Sequence, residues 1–143
     1  MAKELGPRNI TVNVVAPGFI DVHSHGDWIL PLPDHDQVLA PLPLQGITTL
    51  VTGQCGFSPA PASDEAIPLL DDFSEMMREA NLTYAWRSFS EYLDGLQRNG
   101  VLLNTASLVG HGTLRYLAMG KRSEAPTDGE MAQLRRLTRE SLE

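Results

Sequence analysis

"GITTLVTGQCG", residues 46–56, decides how the rest of the chain is read. Ile47, Thr48, Thr49, Val51 and Thr52 are β-branched, they surround Leu50, and Gly46 and Gly53 bound the run. A short apolar, β-branched run between glycines predicts a buried strand over 46–53. The strand then delivers Gln54-Cys55-Gly56, a thiol in a glycine turn.

Working outward, "NITVNVVAPGFIDVHSH" (9–25) reads as an earlier strand. Ile10, Val12 and Val14 alternate, and Val15, Phe19, Ile20 and Val22 continue the apolar run. Pro17-Gly18 predicts a break before its last segment. "VLLNTASLVGHG" (101–112) reads as a third strand entering a glycine loop. Between the first two strands, prolines 31, 33, 41 and 43 predict loop with at most a short helix around Asp36–Ala40.

Helices are predicted in the remaining gaps. One starts near residue 64, with Ser63 as cap and a stripe of Leu69, Leu70, Phe73, Met76 and Met77. A second spans "SFSEYLDGLQRNG", capped by Ser88 or Ser90 and stopped by Gly100. "GTLRYLAMG" allows a short one, and Thr127 with Glu130 sets a capping-box start for the last. Strands alternating with helices predict an α/β fold with parallel strands, about three βα units. A closed (β/α)₈ barrel needs roughly 250 residues, and 143 cannot close one.

Composition narrows the partners. With 42% apolar and 20% charged residues the chain reads as globular. A net charge of −7 argues against nucleic acid, whose phosphates require a basic patch. The longest apolar run falls short of a membrane span, and "MAKELGPRN" lacks the apolar core of a signal peptide. The single cysteine, Cys55, excludes an internal disulfide and fits a reducing compartment, so a cytoplasmic location is expected.

Chemistry collects at the ends of the expected strands. The first leads to His23 and His25, the second to Cys55, the third to His111. Residues two apart on a strand share a face, so both imidazoles reach one ion if the strand persists through Ser24. Imidazoles with a thiolate suit Zn²⁺. In parallel α/β folds such residues meet at one sheet edge. The alternatives are ordinary. His-x-His also describes two neutral histidines that hydrogen-bond locally, and a lone cysteine also serves as a small buried hydrophobe. His111 between Gly110 and Gly112 equally suits a loop that needs unusual backbone angles. Asp27 reads either as an acceptor that orients a metal-bound histidine or as a plain loop carboxylate. His35, between Asp34 and Asp36, reads as a solvated loop residue.

"APGFIDVHSHGDW", "QGITTLVTGQCGFSPAP", "WRSFSEYLDGL" and "NTASLVGHGTLRYLAMG" together resemble the amidohydrolase superfamily, in its N-acyl-D-amino-acid deacylase (D-aminoacylase) branch, from about residue 14 onward. The resemblance implies a part of a metal-dependent (β/α)₈ barrel, read as a single incomplete unit over 1–143. It implies hydrolysis of the amide of N-acyl-D-amino acids with zinc. By position it implies that His23, His25 and Cys55 are metal ligands, with Cys55 in place of the more usual carbamylated lysine. Asp27 and His111 fall to substrate or ligand support, and for His111 contact with metal, substrate or neither stays open. The catalytic residue is unassigned: the family's other ligands, two histidines and an aspartate that is also the general acid/base, match nothing before Glu143. Impaired or absent activity is therefore expected of this chain alone.

The opening stretch, "MAKELGPRNITVNVVAPGFI", instead resembles the short-chain dehydrogenases. No Gly-x-x-x-Gly-x-Gly follows a first strand, and no tyrosine is followed four residues on by lysine. A dehydrogenase remnant is thus the weaker alternative. A non-catalytic α/β module that associates with itself through open sheet edges is the stronger one.

Overall fold

The computed structural model describes residues 18–74 and 82–143. The expected strand residues Ile10–Val15, the dehydrogenase-like start and the stripe positions Met76 and Met77 lie outside the described residues. The elements run β1 (Phe19–Asp21), α1 (His35–Leu39), α2 (Pro41–Leu44), β2 (Ile47–Thr52), α3 (Ile67–Ser74), α4 (Phe89–Asn99), β3 (Asn104–Ser107), α5 (His111–Met119) and α6 (Asp128–Glu140). Short 3₁₀ turns follow the first two strands, at Gly26–Trp28 and Gln54–Gly56.

The three strands form one parallel sheet in the order β1-β2-β3. Phe19 pairs with Ile47, and the register slips by an irregularity before Ile20 meets Thr49. Thr49 through Thr52 run level with Asn104 through Ser107. β2 is the central strand, and its Leu50 and Thr52 are fully buried. Parallel pairing puts all three strand C-termini on one edge, and the chemistry-bearing residues follow that edge.

Local signals explain the helix ends. Ser88 caps α4 by accepting from the N–H of Glu91, whose carboxylate returns to the N–H of Ser88. Thr127 and Glu130 repeat this reciprocal bond at α6. Each cap satisfies N–H groups that an α-helix leaves without internal partners. Gly100, at φ 73°, ends α4 in the left-handed region open to glycine. α3 starts at Ile67 rather than near 64, because Ala66 and Ile67 first turn onto the carbonyl of Ser63. Pro68 fits this first turn, where its missing N–H costs nothing.

Two sequence expectations need adjustment. The proline-rich 27–46 stretch holds a second helical turn, Pro41–Leu44, which starts on a proline as helices tolerate. His35 is not a solvated loop residue: it opens α1, is half-buried, and its Nδ1 lies 2.9 Å from the carbonyl oxygen of Leu32.

The apolar interior falls into two clusters. The main one gathers Trp28, Leu30, Leu50, Leu70, Trp86, Tyr92 and Leu103 among others, between the sheet and α3 and α4. The smaller one, Leu114, Met119, Leu134 and Leu137, joins α5 to α6. The buried indole N–H of Trp86 donates to the carbonyl of Pro59, so this aromatic enters the core with its polar atom satisfied. Among the described residues no helix is long and apolar enough to cross a membrane.

Candidate metal centre

β1 stops at Asp21, not at Ser24, and the stop is chemical. The Asp21 carboxylate accepts from the N–H of His23, bending the chain where a strand would continue. One ladder bond survives beyond the bend, from the Ser24 N–H to the Val51 carbonyl. His23 and His25 therefore leave a tethered turn rather than a strand, and their rings meet edge to face with centroids 5.7 Å apart.

Past β2 the chain turns through left-handed backbone. Gly53 sits at φ 79°, and Cys55 at φ 54°, ψ 19°, the one non-glycine with positive φ among the described residues. An L-residue pays on the order of 1–2 kcal/mol for that conformation. There the Cys55 Sγ lies 3.3 Å from the Nε2 of His23. The Gln54 amide spans the two turns, its Nε2 donating to the carbonyls of Val22 and Val51.

The structure thus brings His23, His25 and Cys55 together: one donor atom from each lies within 4.8 Å of the others. Donors sharing a tetrahedral Zn²⁺ sit about 3.3–3.8 Å apart, given bonds of about 2.0–2.3 Å. A thiolate and two imidazoles are also the borderline-soft set that zinc favours. The donor chemistry fits the ion, and so does the 3.3 Å between the Cys55 Sγ and the His23 Nε2. Burial, and then the charge of neighbouring His23, push the His25 pKa below its usual value and favour the neutral ring that coordinates metal.

Asp27 faces the turn that follows β2. It is buried, and its Oδ2 accepts from the N–H of Gly53 at 3.0 Å instead of meeting a histidine. Its Oδ1 has no hydrogen-bond partner among the described residues. Burial raises this carboxyl to about 7, against the opposing pull of the N–H groups of Gly53, Asp27 and Trp28. The Asp27 carbonyl in turn accepts from the buried Tyr92 hydroxyl at 3.1 Å.

His111 is not part of the three-residue cluster. It is exposed at the first position of α5 and lines an open groove with Arg115, Leu134 and Arg139. Its glycine neighbours answer to space rather than to backbone angle. Gly110 has ordinary extended angles, but a Cβ there would lie 2.6 Å from Phe57, and one on Gly112 would lie 2.9 Å from the Gly56 carbonyl. The turn after β3 thus leans directly on the turn that carries Cys55.

Sequence reasoning missed the clasp that holds these turns together. The Ser58 N–H donates to the Thr113 hydroxyl, which donates back to the Ser58 carbonyl, while the Ser58 hydroxyl accepts from the Gly110 N–H. Both side chains are buried. It also missed Tyr92, whose buried hydroxyl donates to the Asp27 carbonyl. No local spacing marks these partners, since the bonds join residues 52 to 65 positions apart.

The parallel sheet thus groups its candidate metal ligands at its C-terminal edge. No family model matches the chain. It is 39% identical over 130 residues to a D-aminoacylase of Alcaligenes xylosoxydans xylosoxydans, covering 90% of this chain and 25% of that protein. It is 40% identical over 133 residues to an N-acyl-D-aspartate deacylase of the same organism, covering 90% and 24%. A D-aminoacylase crystal structure superposes with a TM-score of 0.71 at 35% identity, over 87% of this chain and 25% of that one. An N-acyl-D-glutamate deacylase of Bordetella bronchiseptica, solved with zinc and a phosphonate mimic of the tetrahedral intermediate, gives 0.62 at 36% identity, over 84% and 24%. The chain is a homologue of the N-acyl-D-amino-acid deacylases, the D-aminoacylase branch of the amidohydrolases, and spans about a quarter of their length. Its open three-stranded sheet is the corresponding part of their barrel.

Proposed function

We propose that residues 1–143 form one incomplete barrel unit, with 1–13 as an atypical lead-in, that holds Zn²⁺ through His23, His25 and Cys55, in the service of N-acyl-D-amino-acid hydrolysis. The observation that carries this reading is the convergence of two imidazoles and a thiol within 4.8 Å at the C-terminal edge of a parallel sheet. The relatives act on N-acyl-D-amino acids, and one neighbouring structure contains zinc, which supports the choice of substrate and ion. When bound, such an ion lowers the pKa of a water toward neutrality and polarises an acyl oxygen.

The chain's own residues divide the remaining work unevenly. His23, His25 and Cys55 hold and orient. None of the residues proposed here is placed to protonate a leaving amine: the Asp27 carboxylate is buried on Gly53, and His111 stands outside the cluster. General acid–base help is worth about 10²–10⁴-fold, so this chain by itself is expected to turn over at a trace rate. A single cysteine that must stay reduced to bind metal suits a reducing compartment such as the cytoplasm.

The test is zinc content after purification and dialysis, compared with the His23→Ala, His25→Ala, Cys55→Ala triple variant. Zinc retained by the native chain and lost by the variant supports the reading, and equal zinc in both rejects it. The zinc-loaded chain is assayed in parallel on N-acyl-D-methionine. Turnover near the ordinary enzyme range of about 1–10³ s⁻¹ would overturn the expected trace rate.

A second reading, a self-associating module, draws on one observation. Phe19 and Ile20 on β1, an edge strand among the described residues, and Val22 just beyond it are 60–70% exposed, and Leu44, shortly before β2, is 85% exposed. An apolar strand edge of this kind invites pairing with a second copy. Sedimentation across a concentration series tests it, and a strictly monomeric chain rejects it.

A further inference from the structure

Resting on that metal reading, we infer that Asp27 is a positioning residue for the thiolate: it fixes the Cys55 turn against the His23–His25 turn. The inference begins from its two attachments. On the histidine side, Asp27 lies two residues past His25, inside a turn locked by the bonds from Gly26 N–H to Ser24 Oγ and from Leu30 N–H to the Gly26 carbonyl. On the cysteine side, its Oδ2 takes the N–H of Gly53, two residues before Cys55. The bond ends on a buried side chain, where water does not compete for it.

Gly53 is held from the opposite side as well. A Cβ there would lie 1.9 Å from the Leu108 carbonyl oxygen, so β3's exit packs flat against it. Pinned between Asp27 and Leu108, the peptide entering Gly53 is held in place two residues before the left-handed Cys55. The Tyr92 hydroxyl anchors the Asp27 backbone to α4, which keeps the carboxylate from following Gly53 if the turn shifts. The Gln54 amide also joins the two turns, but it is partly solvent-exposed, and water competes for its bonds.

Positioning of this kind alters where the sulfur stands and leaves the imidazoles in place. Loss of Asp27 is therefore expected to turn a two-nitrogen, one-sulfur site into a two-nitrogen one. The experiment titrates the full chain with Cd²⁺, whose thiolate bond gives an ultraviolet charge-transfer absorption, and follows band intensity and affinity. Native protein should show the band, and Cys55→Ala should lack it. Asp27→Ala should lose most of the band and bind at least about tenfold more weakly. Asp27→Asn, which keeps an oxygen acceptor for Gly53, should retain the band within about threefold of native affinity. Leu134→Ala, a cavity variant in the smaller cluster, should be destabilised yet keep the band, which separates positioning from general loosening. If Asp27→Ala does not fold, Asp27→Glu serves, because an added methylene displaces the Gly53 N–H and should also weaken the band. An undiminished band in the folded Asp27 variant, or an equal loss in Leu134→Ala, overturns the inference. Absence of the band from native protein instead rejects the metal reading itself.

Discussion

Replacing Thr113 with valine keeps the side-chain shape and removes only the hydroxyl. In the native chain that hydroxyl accepts from the Ser58 N–H at 2.9 Å and donates to the Ser58 carbonyl at 2.8 Å, at a fully buried position. Valine leaves both backbone groups of Ser58 without these partners and cannot admit water. A buried polar group stripped of its partner costs about 1–3 kcal/mol, so the two together should cost roughly 2–6 kcal/mol. With a urea m-value of about 2 kcal/mol per molar, the midpoint should fall by about 1–3 M. Thr113→Ser is the matched control: it keeps the hydroxyl, loses one methyl, and should cost about 1 kcal/mol. Trp28 and Trp86 both sit in the main cluster, so tryptophan fluorescence reports on that unit. Equal midpoints for the valine and serine variants would refute the claim that the clasp works by hydrogen bonding.

Further expectations concern pH and backbone space. In metal-free protein the raised Asp27 pKa stabilises the fold below about pH 4, and this contribution is lost as pH rises through about 7, since the unfolded carboxyl ionises near 3.8. The separation between about 7 and 3.8 corresponds to roughly 4 kcal/mol; urea midpoints of Asp27→Asn should therefore exceed native at pH 8 and converge with it near pH 4. Zinc affinity should fall as pH drops, because protons compete for both imidazoles and the thiolate; isothermal titrations showing a flat profile from about pH 8 to 6 would contradict the ligand set. Gly53→Ala should unfold the chain or displace the exit of β3, whereas Gly100→Ala, also at positive φ but with nothing within 4 Å, should cost only about 1–2 kcal/mol; circular dichroism melts compare them.

What the sequence disclosed, and what it withheld, divides along contact range. The β2 run, the Ser88 and Thr127 caps and the Gly100 stop are local chemistry, and each reads directly from neighbouring residues. His23, His25 and Cys55 became legible as a group because parallel strands must deliver their ends to one edge. The end of β1 was misjudged because apolar patterning says nothing of an aspartate that captures the next but one N–H. The glycines around His111 suggested unusual angles, but their cause is a second turn arriving from 55 residues earlier, which no window along the chain can display.

The division of the interior into two clusters has a consequence for how this molecule breathes. α5 and α6 share a small core of their own, and the Ser58–Thr113 clasp is one of the buried bonds that tie them to the sheet. Amides in such a pair open together, at a free energy set by their own packing rather than by that of the whole molecule. Native-state deuterium uptake should then separate into two protection classes, with Leu50 and Val51 in the slow one and α6 in the fast one. Breaking the clasp would widen that gap, so that a protease sampling the fast class could trim the helical pair while the sheet and its thiol-bearing edge stayed intact.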